Sequence, residues 1–466
     1  MGVLSAPHTR GLPTAGIQAF GHTVGQYACP TPGGFATHPA VNNPVALAAA
    51  ADAGKAHYFG SLESLRGIAA LVVVLFHVSW LTPLYHLGLV RNGYLMVDFF
   101  FILSGFVICH SYGNKIHTGT DTGRFLWLRI GRLYPLHFVM IFVALGMECA
   151  KYLAEVKYGI VSVYGAFAAT NGYSFVTNLL LVHDWGFNHF PSYNTPSWSI
   201  SAEFFVNILF CLILFVTKSS RKLVLVSIAF IAASAAVVIA GDDPGLTTMM
   251  DFGVFRCLIG FFIGVLVYQA YRALGKMAPP ALKTGFMADA LPLVFGLLLV
   301  ALLSVKETGP SDFLVLPLVA GFLFFLVRAP GGLADRSLTA KPVSWLGKVS
   351  YSIYLVHYPI LWCFLQVTRV ILKSPVVTVG LEKVPAPHWA MATGLLICAV
   401  GTVLVVSHFS YQWIEEPFRK KARKLAFQWF PEAGAPKTSK GPRGIPALAG
   451  NLLAGAFRMV RFRVSG

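Results

Sequence analysis

Two residues in the segment "SLESLRGIAALVVVLFHVSW" (61–80) could carry chemistry, because they are polar side chains in an otherwise apolar run. Arg66 and His77 are separated by about three turns of an α-helix, so their side chains would share one face about 16 Å apart along the axis. Polar groups inside a membrane span are costly and usually serve a function. The spacing therefore predicts a functional polar stripe on the first helix.

The two residue types suit different tasks. His77 lies about ten residues into the predicted first span, near the middle of the bilayer, where an imidazole can act as a general base or a nucleophile. A hydrogen bond to a neighbouring helix is the alternative role. Arg66 keeps its charge and suits a phosphate or a carboxylate at the cytoplasmic side. An arginine that only extends toward the membrane surface is the alternative there.

A second pair of arginines precedes the predicted third span in "LRIGRLYPLH" (128–137). Arg129 and Arg132 are three positions apart, so they would share one helical face. The pair could bind an anion at the cytoplasmic surface or could serve only as a positive-inside anchor.

Two carboxylates lie in apolar runs near the predicted periplasmic side. Asp98 is in "GYLMVDFFFILSGFVI" and Glu203 is in "PSWSISAEFF", where Trp198 and Ser201 lie close by. A carboxylate at such a depth needs a partner or a wet cavity. Each could orient an imidazole or bind an acceptor hydroxyl, and each could equally tie two helices together.

A second histidine lies in the predicted ninth span, in "SYSIYLVHYPI". Tyr354 and His357 are three positions apart and would share a face, so they could form a hydrogen-bonded pair that lines a cavity. A role in helix packing is the alternative.

The composition places these residues in an all-α, polytopic membrane protein. Of the 466 residues, 56% are hydrophobic and only 12% are charged, whereas soluble domains have about 25% charged residues. Apolar runs predict about ten transmembrane helices, near 67–86, 93–112, 133–148, 200–216, 223–240, 252–271, 291–305, 313–328, 350–372 and 391–413. The short stretch 173–183 is predicted to lie outside the bilayer or to re-enter it, and "GFFIG" (260–264) is typical of close helix packing.

Charge then orients the chain. Most of the 36 Lys and Arg residues fall on one side when both termini are cytoplasmic, as the positive-inside rule requires. The net charge of +17 is spread over loop edges, which favours contact with membrane lipids over nucleic acid. The seven cysteines form no C-x-x-C pair, so neither a disulfide framework nor a metal site is expected.

Three regions are predicted along the chain. Residues 1–57 would be a flexible cytoplasmic leader, residues 58–420 the membrane domain, and residues 421–466 a basic cytoplasmic tail that could associate with the membrane surface.

Six segments, taken in order, resemble the acyltransferase-3 family of integral membrane O-acyltransferases. They are "SLESLRGIAALVVVLFH", "MVDFFFILSGFVI", "RIGRLYPLH", "SWSISAEFF", "GKVSYSIYLVHYPI" and "YQWIEEPFRK", and they cover residues 61 to 420. The resemblance implies transfer of an acyl group from cytoplasmic acyl-CoA to a hydroxyl of a glycan or lipid, usually on the periplasmic side. Acetyl-CoA as donor, a surface polysaccharide unit or lipid-linked saccharide as acceptor, and the inner membrane as location are the expectations.

The resemblance also carries over residue by residue. The arginine and histidine of the family, separated by ten residues, correspond to Arg66 and His77. Arg66 would hold the phosphates of coenzyme A while the pantetheine arm reaches His77. The paired basic motif corresponds to Arg129 and Arg132, and the aspartate of the second helix to Asp98.

The S-x-E of the W-S-x-S-x-E segment of the family corresponds to Ser201 and Glu203. We therefore expect three catalytic residues, namely His77, Glu203 and Asp98. Arg66, Arg129 and Arg132 would bind acyl-CoA, and four residues would contact the acceptor, namely Ser201, Trp198, Tyr354 and His357.

A multi-helix transporter or flippase of a glycan or lipid intermediate is the alternative function, in which the intramembrane histidine and carboxylates would relay protons or bind the cargo. Transporters more often show inverted repeats, and we find no similarity between residues 67–216 and 252–413. The sequence does not determine the oligomeric state.

Overall fold

Helices make up nearly all of the regular structure in the computed structural model, which describes residues 59–159, 165–217, 219–241, 245–275, 285–380 and 382–431. The helices are α1 (Gly60–Phe76), α2 (Gly88–Arg91), α3 (Met96–Tyr112), α4 (Gly119–Tyr158), α5 (Gly172–Leu179), α6 (Trp198–Thr217), α7 (Ser220–Ile239), α8 (Gly253–Leu274), α9 (Phe286–Val305), α10 (Val315–Arg328), α11 (Leu333–Leu338), α12 (Lys341–Gln366), α13 (Trp389–Ser410) and α14 (Glu416–Trp429). The predicted leader and residues 432–466 of the predicted tail lie outside the described residues.

The membrane class is confirmed. Within the described ranges, eight helical segments are long and apolar enough to cross a bilayer, namely Gly93–Tyr112, Gly119–Tyr158, Thr195–Thr217, Ser220–Ile239, Gly253–Leu274, Phe286–Val305, Pro310–Arg328 and Trp389–Trp429. The predicted first and ninth spans correspond to α1 and α12. Each of the ten predicted spans therefore overlaps a helix, and the short predicted piece at 173–183 overlaps α5.

One small antiparallel hairpin interrupts this pattern between α12 and α13. Strand β1 (Val376–Val379) pairs with β2 (Glu382–Pro385), and Val376 lies opposite Pro385. The N–H of Leu81, in the segment after α1, donates to the carbonyl of Pro385 (2.8 Å). The hairpin thereby holds the chain that leaves α1.

The first helix differs from the prediction. It runs over Gly60–Phe76, and His77 is the residue that ends it, so the histidine lies at the end of the helix and not in the middle of a span at 67–86. Pro83 disfavours helical backbone in the residue before it, and residue 81 bonds to the hairpin instead of continuing the helix. The spacing of about 16 Å between Arg66 and His77 is unaffected, because the helix is continuous up to Phe76.

Glycines bring the backbones of α1 and α12 together. A Cβ atom at Gly67 would lie 2.5 Å from the carbonyl carbon of Leu346, and one at Gly347 would lie 2.5 Å from the carbonyl oxygen of Glu63. Small residues at such contacts let membrane helices pack through their backbones. This contact fixes the register of the two helices that carry His77 and His357.

The same device joins α3 and α8, which confirms the predicted packing role of "GFFIG". A Cβ atom at Gly264 would collide with the carbonyl oxygen of Ile102, and one at Gly260 would lie 2.7 Å from the Cβ atom of Phe101. On the opposite helix, Gly105 faces the carbonyl oxygen of Phe261. Helix α8 therefore holds α3 against the rest of the bundle.

We expect the variant Gly67→Ala to lower the thermal unfolding midpoint in detergent, because its methyl group would force α1 away from α12. Overpacking of this kind costs about 1–3 kcal/mol. Gly401→Ala on α13 is the matched control, since a Cβ atom there meets open space. Equal midpoints for the two variants would contradict backbone contact between α1 and α12.

Candidate active site

A cavity of roughly 80 Å³ lies where α1, α3, α4, α6 and α12 meet. Three arginines line it, namely Arg66 from α1 and Arg129 and Arg132 from α4, together with the carboxylate of Glu203 from α6. We call this space the arginine cavity. The structure thus brings together the three residues predicted to bind acyl-CoA.

The long helix α4 positions two of these arginines. It begins at a capping box in which the Thr118 hydroxyl accepts from the N–H of Asp121 while the Asp121 carboxylate accepts from the N–H of Thr118. Such a cap stabilises a helix start by about 1 kcal/mol. Arg129 and Arg132 follow about two turns later, and Phe125 lies under the guanidinium of Arg129 at 5.4 Å.

The arginines lie beyond 4.0 Å from every carboxylate oxygen in the described part of the chain. None of the three guanidinium groups makes a hydrogen bond or an ion pair there, and all three are half-buried. Glu203 is occupied elsewhere, since it accepts a hydrogen bond of 2.6 Å from the hydroxyl of Ser104 on α3. The cavity therefore carries a net positive charge and a set of unused N–H donors, which suits an anion.

A pair of histidines lies outside this cavity, at the end of α1. The Nδ1 atom of His77 lies 2.9 Å from the carbonyl oxygen of Val73 and 3.3 Å from the Nε2 atom of His357. The Nδ1 atom of His357 lies 3.2 Å from the carbonyl oxygen of Ile353. Both histidines were predicted as site residues, but the contact between them was not predicted.

These contacts fix the neutral tautomers. A carbonyl oxygen can only accept, so the Nδ1 atom of each ring carries the proton. The His77 N–H is then shared between the Val73 carbonyl and the Nε2 lone pair of His357. The Nε2 atom of His77 is left with its own lone pair on a half-buried side chain, and it is the atom that can accept a proton from a substrate.

Helix α12 connects the arginine cavity to the histidine pair. Ser350, Tyr351 and Tyr354 line the cavity, and the ring of Tyr354 lies 5.9 Å from that of His357. The predicted hydrogen bond between these two side chains is absent from the described residues, because the hydroxyl of Tyr354 bonds to that of Ser199 instead (2.7 Å). Tyr354 therefore stands between the arginines and the histidines.

A proline near His357 secures the loop that precedes α6. Pro359 has no N–H, which leaves the carbonyl of Leu355 without its usual helical donor. The side-chain amide of Asn194 donates to that carbonyl at 2.9 Å. The segment that leads to Glu203 thus supplies the donor that the carbonyl of Leu355 lacks within α12.

Asp98 is not in the arginine cavity. Its two carboxylate oxygens accept from Arg256 on α8, at 2.9 Å from Nε and 2.6 Å from Nη2, and both side chains are almost fully buried. Arg256 also donates to the carbonyls of Tyr94 and Thr248. The position of Asp98 favours its alternative role, a tie between α3 and α8, over the predicted catalytic role.

Trp198 and Ser201 also lie away from the cavity lining. The ring of Trp198 packs beneath the guanidinium of Arg256 at 5.3 Å. The hydroxyl of Ser201 donates to the carbonyl of Leu181 at 2.8 Å and accepts from the N–H of Asp184 at 3.2 Å. Both residues hold neighbouring segments in place, so contact with a substrate stays a prediction without support from their positions.

Asp184 lies in the connection between α5 and α6. Both of its carboxylate oxygens are buried without a hydrogen-bond partner in the described part of the chain. Burial raises the pKa of Asp184 well above its usual range.

Three residues to which the sequence analysis gave no role also line the cavity, namely Ser104, Ser199 and Tyr351. Each is recognisable only through its partner across the bundle. The hydroxyl of Tyr351, for example, donates to the carbonyl of Leu133 on α4. Arg256, which lies outside the cavity, did have a signal in the sequence, since a buried carboxylate such as Asp98 requires a cation at membrane depth.

Comparisons with known proteins agree with the resemblance. A family model described as an acyltransferase domain matches residues 59–410. "Putative peptidoglycan O-acetyltransferase YrhL" of Bacillus subtilis (strain 168) is 26% identical over 389 residues, which cover 78% of this chain and 55% of that protein. "Peptidoglycan O-acetyltransferase OatA" of Listeria monocytogenes (strain EGD-e) is 24% identical over 412 residues, covering 80% of this chain and 58% of that protein. The chain thus spans a little over half the length of these two relatives.

A third relative is covered more completely. "Putative membrane-bound transacylase BcsY" of Komagataeibacter xylinus is 27% identical over 368 residues, which cover 76% of this chain and 81% of that protein. No solved structure matches the chain.

We expect Asp98→Leu to destabilise the protein by about 3–5 kcal/mol, because it leaves the charge of Arg256 buried and unpaired. The double variant Asp98→Leu, Arg256→Met should recover much of that loss and should keep acyltransferase activity within about tenfold of wild type. Unfolding midpoints and turnover of the three proteins are to be compared. A double variant that is folded but inactive would restore Asp98 to the catalytic residues.

Proposed function

The chain belongs to the acyltransferase-3 family of integral membrane acyltransferases, and on that premise we propose that it is an O-acyltransferase. It moves a short acyl group, acetyl in the first instance, from cytoplasmic acyl-CoA to a hydroxyl of a glycan. The acceptor is a surface polysaccharide unit or a lipid-linked saccharide on the outer side of the inner membrane.

The observation that carries the proposal is that Arg66, Arg129 and Arg132 make no ion pair within 4.0 Å among the described residues. Guanidinium groups kept half-buried and unpaired in a membrane bundle are expensive. The phosphates of coenzyme A offer the compensating charge, and the planar N–H fork of arginine binds phosphate oxygens in pairs. Glu203, held by Ser104, keeps a carboxylate beside the arginines and prevents a uniformly positive cavity.

The length of α1 relates the arginines to the histidines. His77 follows Arg66 by about 16 Å along the helix, a distance similar to the length of the pantetheine arm. Bound acyl-CoA supplies the acyl group as a thioester at the end of that arm. Tyr354, between the arginine cavity and His357, would contact the arm on its way to His77.

His77 acts as the general base in this proposal. Its Nε2 lone pair takes the proton from the acceptor hydroxyl while that oxygen forms the new ester bond to the acyl carbon. The bond between the acyl carbon and sulfur breaks, and the thiolate of coenzyme A receives the proton from His77. His357 accepts from the Nδ1–H of His77 and so orients the ring and stabilises it when it is charged.

We expect His77→Ala to lower the rate of acetyl transfer by about 10²–10⁴, the usual contribution of a general base. Release of free coenzyme A from acetyl-CoA by purified protein is the measurement. His86→Ala is the matched control, because His86 is an exposed histidine after the same helix. Near-normal turnover of the His77 variant at equal expression would mean that the histidine is structural. A transporter, by contrast, would release no coenzyme A even as wild type.

We expect the double variant Arg129→Ala, Arg132→Ala to raise the Kd for acetyl-CoA at least about tenfold, which corresponds to about 1.4 kcal/mol. The KM for the acceptor should change much less, because both arginines face the donor side of the site. Arg336→Ala on α11 is the control, since Arg336 is an exposed arginine outside the cavity. Unchanged acetyl-CoA affinity in the double variant would return the pair to the role of topology anchors.

A further inference from the structure

A second, larger cavity lies on the other side of the histidine pair. It measures roughly 640 Å³ and is bounded by α4, by the segments at 165–170 and 190–195, and by the last turns of α12. Tyr358 lines it and also contacts His77, with their ring centroids 5.9 Å apart. We call this space the outer cavity. Along α12, the histidine pair therefore separates it from the arginine cavity.

Several aromatic side chains line the outer cavity, and three of them carry a polar atom. They are Tyr193, Tyr358 and Trp362, with Phe190 at 73% exposure beside them. The indole N–H of Trp362 and the hydroxyl of Tyr358 have no hydrogen-bond partner in the described ranges, and neither atom is fully buried. Their polar atoms are thus available to a ligand.

A charged pair on α4 supplies further hydrogen-bonding groups. The ammonium of Lys151 lies 3.8 Å from the carboxylate of Glu148, and both side chains are about one-fifth exposed. The carboxylate of Glu148 also accepts from the N–H of Phe167 at 2.9 Å. Because the two charges balance each other, the lining offers donors and acceptors without a strong preference for a charged ligand.

Two non-glycine residues at this cavity have left-handed backbone. Tyr193 has a φ of 54° and Phe167 a φ of 63°, and such conformations cost about 1–3 kcal/mol each. The hydroxyl of Tyr193 donates to the carbonyl of Asn171 (3.4 Å), and its ring packs on Phe175. The bonds that hold these strained residues therefore also fix the orientation of the aromatic lining.

We propose that the outer cavity binds the sugar ring that bears the accepting hydroxyl, an inference that rests on the proposed acyltransferase function. The C–H groups of a pyranose face carry slight positive charge and pack on the negative face of an aromatic ring. The hydroxyls at the ring edge can bond to Glu148, Lys151 and the Nε1 atom of Trp362. One hydroxyl then lies toward Tyr358 and His77, from where it can be deprotonated.

A lipid alcohol is the competing ligand, and the charged pair of Glu148 and Lys151 in the lining argues against it. An alkyl chain gains nothing from a carboxylate and an ammonium group, and it would leave both of them desolvated without compensation. A saccharide replaces the lost water with its own hydroxyls.

The test uses the full-length protein in detergent, radiolabelled acetyl-CoA and three probe acceptors, namely chitotriose, cellotriose and 1-octanol. Wild type should transfer acetyl to a trisaccharide in preference to octanol. Trp362→Ala should raise the KM for that trisaccharide at least about tenfold, while the Kd for acetyl-CoA stays unchanged. The KM of Trp362→Phe, which keeps an aromatic face, should lie between those of wild type and Trp362→Ala.

Two further variants guard against a folding defect. Glu148→Gln on α4 preserves shape and should also raise the KM for the trisaccharide. Trp389→Ala removes an exposed tryptophan from the start of α13 and should leave the KM for the trisaccharide unchanged. Saturation-transfer NMR of the trisaccharide without acetyl-CoA reports binding independently of chemistry.

The outcomes separate this inference from the proposed function. Equal KM values for wild type, Trp362→Ala and Glu148→Gln, transfer to octanol alone, or binding of neither trisaccharide would each overturn the saccharide site. Trisaccharide binding that depends on Trp362, without acetyl transfer or release of coenzyme A, would support the site and overturn the acyltransferase function.

Discussion

The backbone contact between α1 and α12 determines the geometry of everything that follows. Hydrophobic burial does not favour one helix pairing over another in lipid, so close van der Waals packing must specify it. Gly67 and Gly347 allow this approach because neither has a side chain to separate the helices. The approach places the end of α1 beside the middle of α12, where His77 and His357 meet.

The charged side chains of the bundle fall into two groups with different physical status. Arg256 is almost fully buried, and its N–H groups are used by Asp98 and by two backbone carbonyls, as expected for a cation that only holds helices together. Arg66, Arg129 and Arg132 reach an open cavity and make no hydrogen bond or ion pair within the described residues. The contrast between a satisfied and an unsatisfied guanidinium separates the structural cation from those available to a substrate.

Much of the helical fold could be predicted, because helix length and apolar composition are local properties of the sequence. The clustering of Arg66, Arg129 and Arg132 followed from the family motifs, although periodicity alone left their role open. The sequence left Asp98 open between a catalytic role and a tie between helices, since its partner is 158 positions away. The end of α1 before His77 was also missed, because the apolar run continues beyond it and a distant hairpin ends the helix by binding residue 81.

Helix α12 contributes to both cavities and carries one member of the histidine pair between them. A rigid element shared by two sites acts as a mechanical linkage. A tilt of α12 that widens one cavity must change the other, and the coupling free energy is the same in both directions. Occupancy by the donor and occupancy by the acceptor are then not independent events, and the order in which the two substrates bind becomes a property of a single helix.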